Sequence, residues 1–131
     1  MQQISISSKS REQFLDITSQ VQDLLRANNW LDGVLYLHCT HTTAGLTVNE
    51  SADPSVPRDI LKTLSSLVPE IGDYQHSEGN SDAHIKSSLM GCGLQLMVQN
   101  GRLVLGTWQG IFFTEFDGPR KRKVIAKWIA A

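Results

Sequence analysis

Between His38 and Pro54 the chain reads HCTHTTAGLTVNESADP, two imidazoles and a thiol set among threonines, an amide and two carboxylates. Three of the four histidines fall where a loop is expected to meet a regular element: His41 at a strand end, His76 in a polar loop, His84 in the first turn of a helix. At such places side chains can converge while a rigid scaffold holds them. Neutral imidazole is the commonest transition-metal ligand, and three such donors with one position open would resemble a catalytic zinc site. His76 and His84 stand eight positions apart across a loop-to-helix junction, so they cannot share a helix face as an HExxH pair does, and convergence is left to the fold. Spacing alone equally allows each to make a surface or structural hydrogen bond. Cys39 lies on the face of its strand that carries Leu35, Leu37 and His41. It reads as a buried thiol acting as a small hydrophobe, with a fourth metal ligand as the alternative.

The carboxylates divide by position. Asp53, just before Pro54, reads as a helix cap, and Asp82 as the complement of a helix N-terminus. Glu50 and Glu78 are the functional candidates, able to ligate a metal, orient an imidazole or move a proton. Thr42 and Thr43 either fill a strand end or, with the backbone beside Gly45, bind an oxyanion. Trp108 offers a flat face and Gln109 two-sided hydrogen bonding, although a Trp among apolar strand residues is usually core. Arg120 and Arg122 project from one strand face as a phosphate clamp would, with Lys121 and Lys123 opposite. The alternative is a solvated edge strand whose charges block aggregation.

The elements that must position these groups follow from periodicity. QISIS and EQFLDIT have strand character, SQVQDLLRANN spaces Val21, Leu24 and Leu25 as a helix capped by Ser19 and ended by Asn28 and Asn29, and GVLYLHCT alternates as a strand with one buried face. GLTVNE reads as a strand, DPSVPRDILKTLSSLVPE as a helix stopped near Pro69, and Gly72 to Asn80 as a loop. Ser81 can cap a short helix, DAHIKSSLMG, that Gly91 ends. The last third is β-like: LQLMVQ, a turn at Asn100-Gly101, RLVLGTWQGIFFTEF, a turn at Asp117-Gly118-Pro119, and RKRKVIAKWI. Helices among strand pairs joined by tight turns predict an α+β fold, a largely antiparallel sheet packed with helices.

Composition sets the outer bounds. A chain of 131 residues suits one domain over residues 1–131, with a core burying roughly two thirds of the unfolded surface. Twelve basic against 13 acidic side chains give no global pull toward nucleic acid or anionic membrane, so phosphate recognition must be local. The start, MQQISISSKSREQFLDI, lacks the pattern of a secretory leader, and no apolar run reaches the length of a membrane span. Two cysteines, Cys39 and Cys92, predict free thiols in a reducing, cytoplasmic compartment, one bridge remaining as the alternative.

HTTAGLTVNE, HSEGNSDAH, LGTWQ and FDGPRKR occur in the order and spacing of the YjbQ-like family, small proteins described as secondary thiamine-phosphate synthases. The resemblance runs over nearly the whole chain. It implies a compact α+β sandwich assembling as a homotrimer, with histidines near subunit boundaries and a divalent metal, zinc foremost, or anions bound there. Carried over by motif, His41, His76 and His84 become the metal-binding trio. Asn49, Glu50, Glu78 and Asn80 become polar residues of the same pocket, and Trp108, Gln109, Asp117, Arg120 and Arg122 line or support it. The commonest family form has a second alanine where this chain has Gly45, a change expected to loosen the local backbone without removing a donor. The activity implied is the joining of a pyrimidine methyl diphosphate to a thiazole phosphate with pyrophosphate release, catalytic candidates being Glu50, Glu78 and Arg120. A different phosphorylated small molecule as physiological substrate, a metal-dependent hydrolase and a non-enzymatic metal- or metabolite-binding trimer are the alternatives.

Overall fold

A computed structural model describes residues 1–131. In chain order the elements are β1 (Gln2–Ser7), β2 (Gln13–Asp16), α1 (Thr18–Ala27), β3 (Gly33–Cys39), β4 (Ala44–Glu50), α2 (Ser55–Leu67), α3 (Ser81–Met90), β5 (Gly93–Gln99), β6 (Arg102–Leu103), β7 (Gln109–Glu115) and β8 (Lys121–Ala130). They form two antiparallel sheets, one of five strands in the order β1-β8-β3-β5-β6 and one of three in the order β2-β7-β4. The fold is α+β, as alternation and helical spacing predict.

Alternation decides which face each strand buries. Ile4 and Ile6 of β1, Leu35 and Leu37 of β3, Leu96 and Val98 of β5, and Val124 and Ala126 of β8 turn inward and meet Leu46, Ile111 and Phe113 of the small sheet. Val21 and Leu25 of α1 join the same core. The small sheet's other face carries a second cluster in which Leu64 of α2, Ala83 of α3 and Phe116 pack with Phe14, Ile60, Leu61 and Met90. Sandwiched on both sides, β7 is buried from Gly110 to Glu115, which explains its nearly continuous apolar sequence. No helix is long and apolar enough to cross a membrane.

Local chemistry departs from expectation at four points. The run from Arg102 to Phe116 is not one β segment: β6 pairs with β5 in the large sheet, β7 pairs with β2 and β4 in the small one, and residues 104–108 cross between them. The chain breaks its pairing over residues 104–108, where it changes layer. Helix α1 starts at Thr18 rather than after a Ser19 cap; Asp16 Oδ1 accepts both the Thr18 N–H and its hydroxyl, at 2.9 and 2.6 Å. Ser81 is the first residue of α3, not its cap; Asn80 holds that place, yet its side chain makes no capping bond because its amide is turned to Asp117. Asp53 is not the cap of α2 either: Pro54 holds that place without a side-chain capping bond. Asp53, one residue earlier, accepts the Ser55 N–H at 2.9 Å and its hydroxyl at 2.7 Å in a local turn that leads into the helix. The Asn100-Gly101 turn has φ of 51° and 72°, the double left-handed geometry of a two-residue hairpin.

Gly45 tightens rather than loosens its surroundings. A Cβ there would stand 2.7 Å from Gly91 O and 2.9 Å from Met90 Cβ, at the point where Gly91 O accepts the Leu46 N–H at 3.1 Å. The missing side chain lets the end of α3 rest directly on β4. Gly45→Ala must push the two apart, and the expected loss of unfolding free energy is about 1–3 kcal/mol, the usual range for overpacking, read from urea denaturation.

Candidate functional site

The site is built outward from a buried ion pair. Glu115 at the end of β7 and Arg122 near the start of β8 are 0% and 7% exposed, and Arg122 grips both carboxylate oxygens of Glu115 through Nε and Nη2. The Ser8 hydroxyl donates to Glu115 Oε1 at 2.6 Å, the Asp117 N–H to Oε2 at 3.1 Å, and Arg122 Nη2 donates to Thr43 Oγ1 at 2.8 Å. Burial pushes Glu115 up, but the bonds from Arg122, Ser8 and Asp117 outweigh it and hold the carboxyl below its ordinary value. Thr43 is buried, and its hydroxyl oxygen accepts from Arg122, so it braces Arg122 from the wall of the pocket.

Above this pair stands His41. Its Nε2 accepts the Lys123 backbone N–H at 3.0 Å, so in the neutral ring the proton sits on Nδ1. Burial and then the Arg122 charge push the imidazole below its ordinary pKa. His41 is thus a neutral donor near neutral pH.

Helix α3 brings the second wall, and buried charge fixes it in place. Asp82 and Lys86 are 0% and 1% exposed. Arg11 binds both oxygens of Asp82, at 3.2 and 3.0 Å, and Lys86 Nζ lies 2.9 Å from Asp82 and 3.0 Å from Glu12. Burial opposes ionisation of Asp82, yet Arg11 and Lys86 more than offset it, and its pKa falls. Asp82 stands in the first turn of α3, where its charge complements the helix N-terminus as expected, and it also ties the helix to the β1–β2 connection. At the N-terminal end of α3 the Asn80 amide donates to Asp117 Oδ2 at 2.9 Å, the oxygen that also takes Arg120 Nη2 at 2.9 Å. Asn80 Oδ1 is buried and has no partner in the chain.

These groups enclose a pocket of about 350 Å³ with no apolar residue in its lining. His41, Thr40, Thr42 and Thr43 come from the β3–β4 connection, Glu78, Asn80 and His84 from the loop and helix α3, and Asp117, Arg120 and Arg122 from the β7–β8 turn. Three of the four motifs picked out in the sequence meet here. Larger hollows lie elsewhere, such as one of about 560 Å³ beside Trp30 and Arg102, but its Arg26 is already paired with Asp23, and no imidazole or carboxylate joins it.

The fourth motif is elsewhere in the chain. Asn49 pairs with Gly110 and Glu50 with Gln109 at the far end of β4 and β7, whereas the pocket borders the Ala44–Glu115 end. Six residues of extended strand separate the two ends by about 20 Å. Trp108 is 64% exposed there, not core, Gln109 Oε1 accepts the Gly106 N–H, and Glu50 Oε2 the Ala52 N–H. The histidine trio is also only partly gathered: the rings of His76 and His84 are 5.3 Å apart edge to face, with Glu78 3.7 Å from His76, while His41 is turned to Lys123. No three His, Cys, Asp or Glu side chains in one chain converge as a metal ion would need. Cys39 is a buried free thiol and Cys92 an exposed one; burial raises the Cys39 pKa, leaving it the small hydrophobe expected. Sequence reasoning passed over Glu115, Ser8, Arg11 and Lys86. Only Glu115 had a visible signal, a carboxylate inside the apolar run GIFFTEF, where an unpaired charge could not stay.

The profile of the family described as UPF0047 protein YjbQ-like matches residues 2–131. The chain belongs to the YjbQ-like UPF0047 family. A UPF0047 protein of Methanocaldococcus jannaschii is 49% identical over 95% of this chain and 90% of its own length, and the UPF0047 protein YugU of Bacillus subtilis is 44% identical over 95% of each. The crystal structure of a YjbQ/UPF0047 family protein from Clostridium acetobutylicum superposes with a TM-score of 0.95 at 53% identity, covering 98% of this chain and 100% of that one. A conserved hypothetical protein of Thermus thermophilus gives 0.93 at 42% identity over 98% and 100%. The YjbQ-like sandwich thus frames the pocket, and the ion pair at its base sets an acid dependence. Because the folded Glu115 pKa lies below its ordinary value of 4.5, the stability it contributes is present above that pH and is lost as pH falls through the lower folded value. Glu115→Gln flattens that acid slope in denaturation curves and lowers stability near pH 7 by about 3–5 kcal/mol, since Arg122 is left buried without its counter-charge.

Proposed function

We propose that the chain binds a small phosphorylated metabolite in this pocket and acts on it as a transferase, the reaction in view being the union of a pyrimidine methyl diphosphate with a thiazole phosphate. The observation that supports this reading is the meeting of Arg120, Arg122 and His41 around a pocket lined only by polar and charged residues. Arg122 spends Nε and Nη2 on Glu115 and Thr43, leaving Nη1 for a ligand oxygen. Arg120 is held at the rim by Asp117, through its Nε to the carbonyl and Nη2 to the carboxylate. The neutral His41 has Nδ1–H to donate. Fixed donors of this kind stabilise charge that gathers on a leaving diphosphate. In the transfer the carbon–oxygen bond to the diphosphate breaks, its electron pair leaves with pyrophosphate, and the thiazole ring nitrogen supplies the pair for the new carbon–nitrogen bond.

Hydrolysis of a small phosphorylated metabolite is the second reading, favoured by Glu78, a rim carboxylate suited to take a proton from an attacking water. Since the donors of one chain do not fit a three-ligand metal centre, neither reading routes a step through a metal. Self-association as a homotrimer belongs to the proposal too. It is supported by the outer face of the large sheet, where Val34 lies between Met97 and Ile129, which are 65% and 51% exposed. Such a contiguous apolar patch favours an interface.

Two measurements follow. Arg120→Ala weakens inorganic phosphate binding about tenfold or more, the worth of one charge-assisted hydrogen bond, while Lys121→Ala, on the opposite strand face, changes it little; chelator treatment leaves the wild-type affinity intact. Calorimetric titration checks all three, and equal effects of the two substitutions would remove the pocket from consideration. By sedimentation the chain runs at three times its 14.5 kDa, and Met97→Lys shifts it toward a single chain.

A further inference from the structure

We infer that the ligand of this pocket carries a hydroxyl or amino donor beside its phosphate, and that Asn80 Oδ1 receives it. The inference rests on the phosphate reading above and goes beyond it by naming what else the ligand must bear. The Asn80 amide has a fixed orientation: Nδ2 donates to Asp117 Oδ2 at 2.9 Å, and a carboxylate oxygen can only accept. Oδ1 is thereby turned away from Asp117, buried, with no partner in the chain. Asn80 stands at the N-cap of α3, where its side chain would ordinarily accept a backbone N–H, yet it makes no such bond. A buried amide oxygen that forgoes its local partner is an acceptor still to be satisfied by a group entering the pocket, a water or a ligand donor.

Its neighbours point the same way. Both bonds to the Asp117 carboxylate fall on Oδ2, leaving Oδ1 as a second acceptor, and the Glu78 carboxylate stands on the rim. The pocket is therefore two-sided, with Arg120, Arg122 and His41 as donors and Asn80, Asp117 and Glu78 as acceptors. An alkyl phosphate engages only the donors and leaves Asn80 Oδ1 bare. A phosphate ester whose carbon chain ends in O–H or N–H satisfies both sides, and about 350 Å³ accommodates a ligand of this small size.

Three phosphate esters of nearly equal size separate the possibilities: propyl phosphate, 2-hydroxyethyl phosphate and 2-aminoethyl phosphate, with inorganic phosphate as reference. Each is titrated into the ¹⁵N-labelled full chain while the Asn80 side-chain amide and the Lys123 amide are followed by NMR. At least one donor-bearing ester binds about tenfold or more tightly than propyl phosphate, the value of one hydrogen bond to a buried acceptor, and the tighter of the two identifies the donor as hydroxyl or amine. Asn80→Ala brings the three esters to a common affinity. If propyl phosphate binds the wild type as tightly as both others, or the preference survives in Asn80→Ala, the donor assignment is overturned while the phosphate reading stands. If no phosphate binds, inorganic phosphate included, both fall. The wild-type comparison decides the matter even where Asn80→Ala fails to fold.

Discussion

Glu115 and Arg122 belong to strands of different sheets, and neither has more than a trace of contact with water. Taking two such charges out of solvent costs several kcal/mol per ion unless every lone pair and proton finds a partner. Apart from Arg122 Nη1, which is left toward the pocket, that demand is met only when the chain beyond β1, the residue before β4, the end of β7 and the start of β8 come to one point, supplying Ser8, Thr43, Glu115 and Arg122. Sheet-on-sheet packing is otherwise nondirectional apolar contact. The ion pair adds one directional contact between the two sheets, and the pocket lies beside it.

A second group of charges does for the helix what the first does for the sheets. Arg11, Asp82, Lys86 and Glu12 form a continuous chain of contacts from the β1–β2 connection into α3, and Gly45 lets the other end of the helix sit on β4. Pinned at both ends, α3 has little freedom to rotate. His84 and Asn80 therefore face His41 and the β7–β8 turn from a fixed distance, the preorganisation a polar pocket needs if its donors are to act without rearranging.

Membership of the YjbQ-like family accounts for the scaffold, and a scaffold does not by itself specify chemistry. What bears on chemistry is the balance inside the pocket. Two guanidinium groups stand there, yet Glu115 and Asp117 already compensate them, so the site is not a simple cationic well that would hold any anion. Donors and acceptors face one another across a small polar volume, an arrangement that discriminates by matching hydrogen bonds rather than by net charge.

Much of this was legible in the sequence because it is local. Period-two alternation in β1, β3, β5 and β8, helical spacing in α1 and α2, and the Asn100-Gly101 hairpin all follow from the preferences of neighbouring residues. The motifs also named, by residue type, most of the side chains that line the pocket: His41, Glu78, Asn80, His84, Asp117, Arg120 and Arg122. Other features depend on residues far apart along the chain. Arg122 meets Thr43 across 79 positions, and no local pattern announces that Arg122 would be consumed within the core while Arg120 stays at the rim. Nor could adjacency in a motif reveal that Asn49 and Glu50 stand a strand's length from Thr42 and Thr43, that Trp108 faces solvent, or that Lys86 is buried. Sequence determined which groups are available, since residue type and period are properties of a short stretch; tertiary structure alone decided which of them meet, since that follows from strand pairing and from where buried charges can find partners.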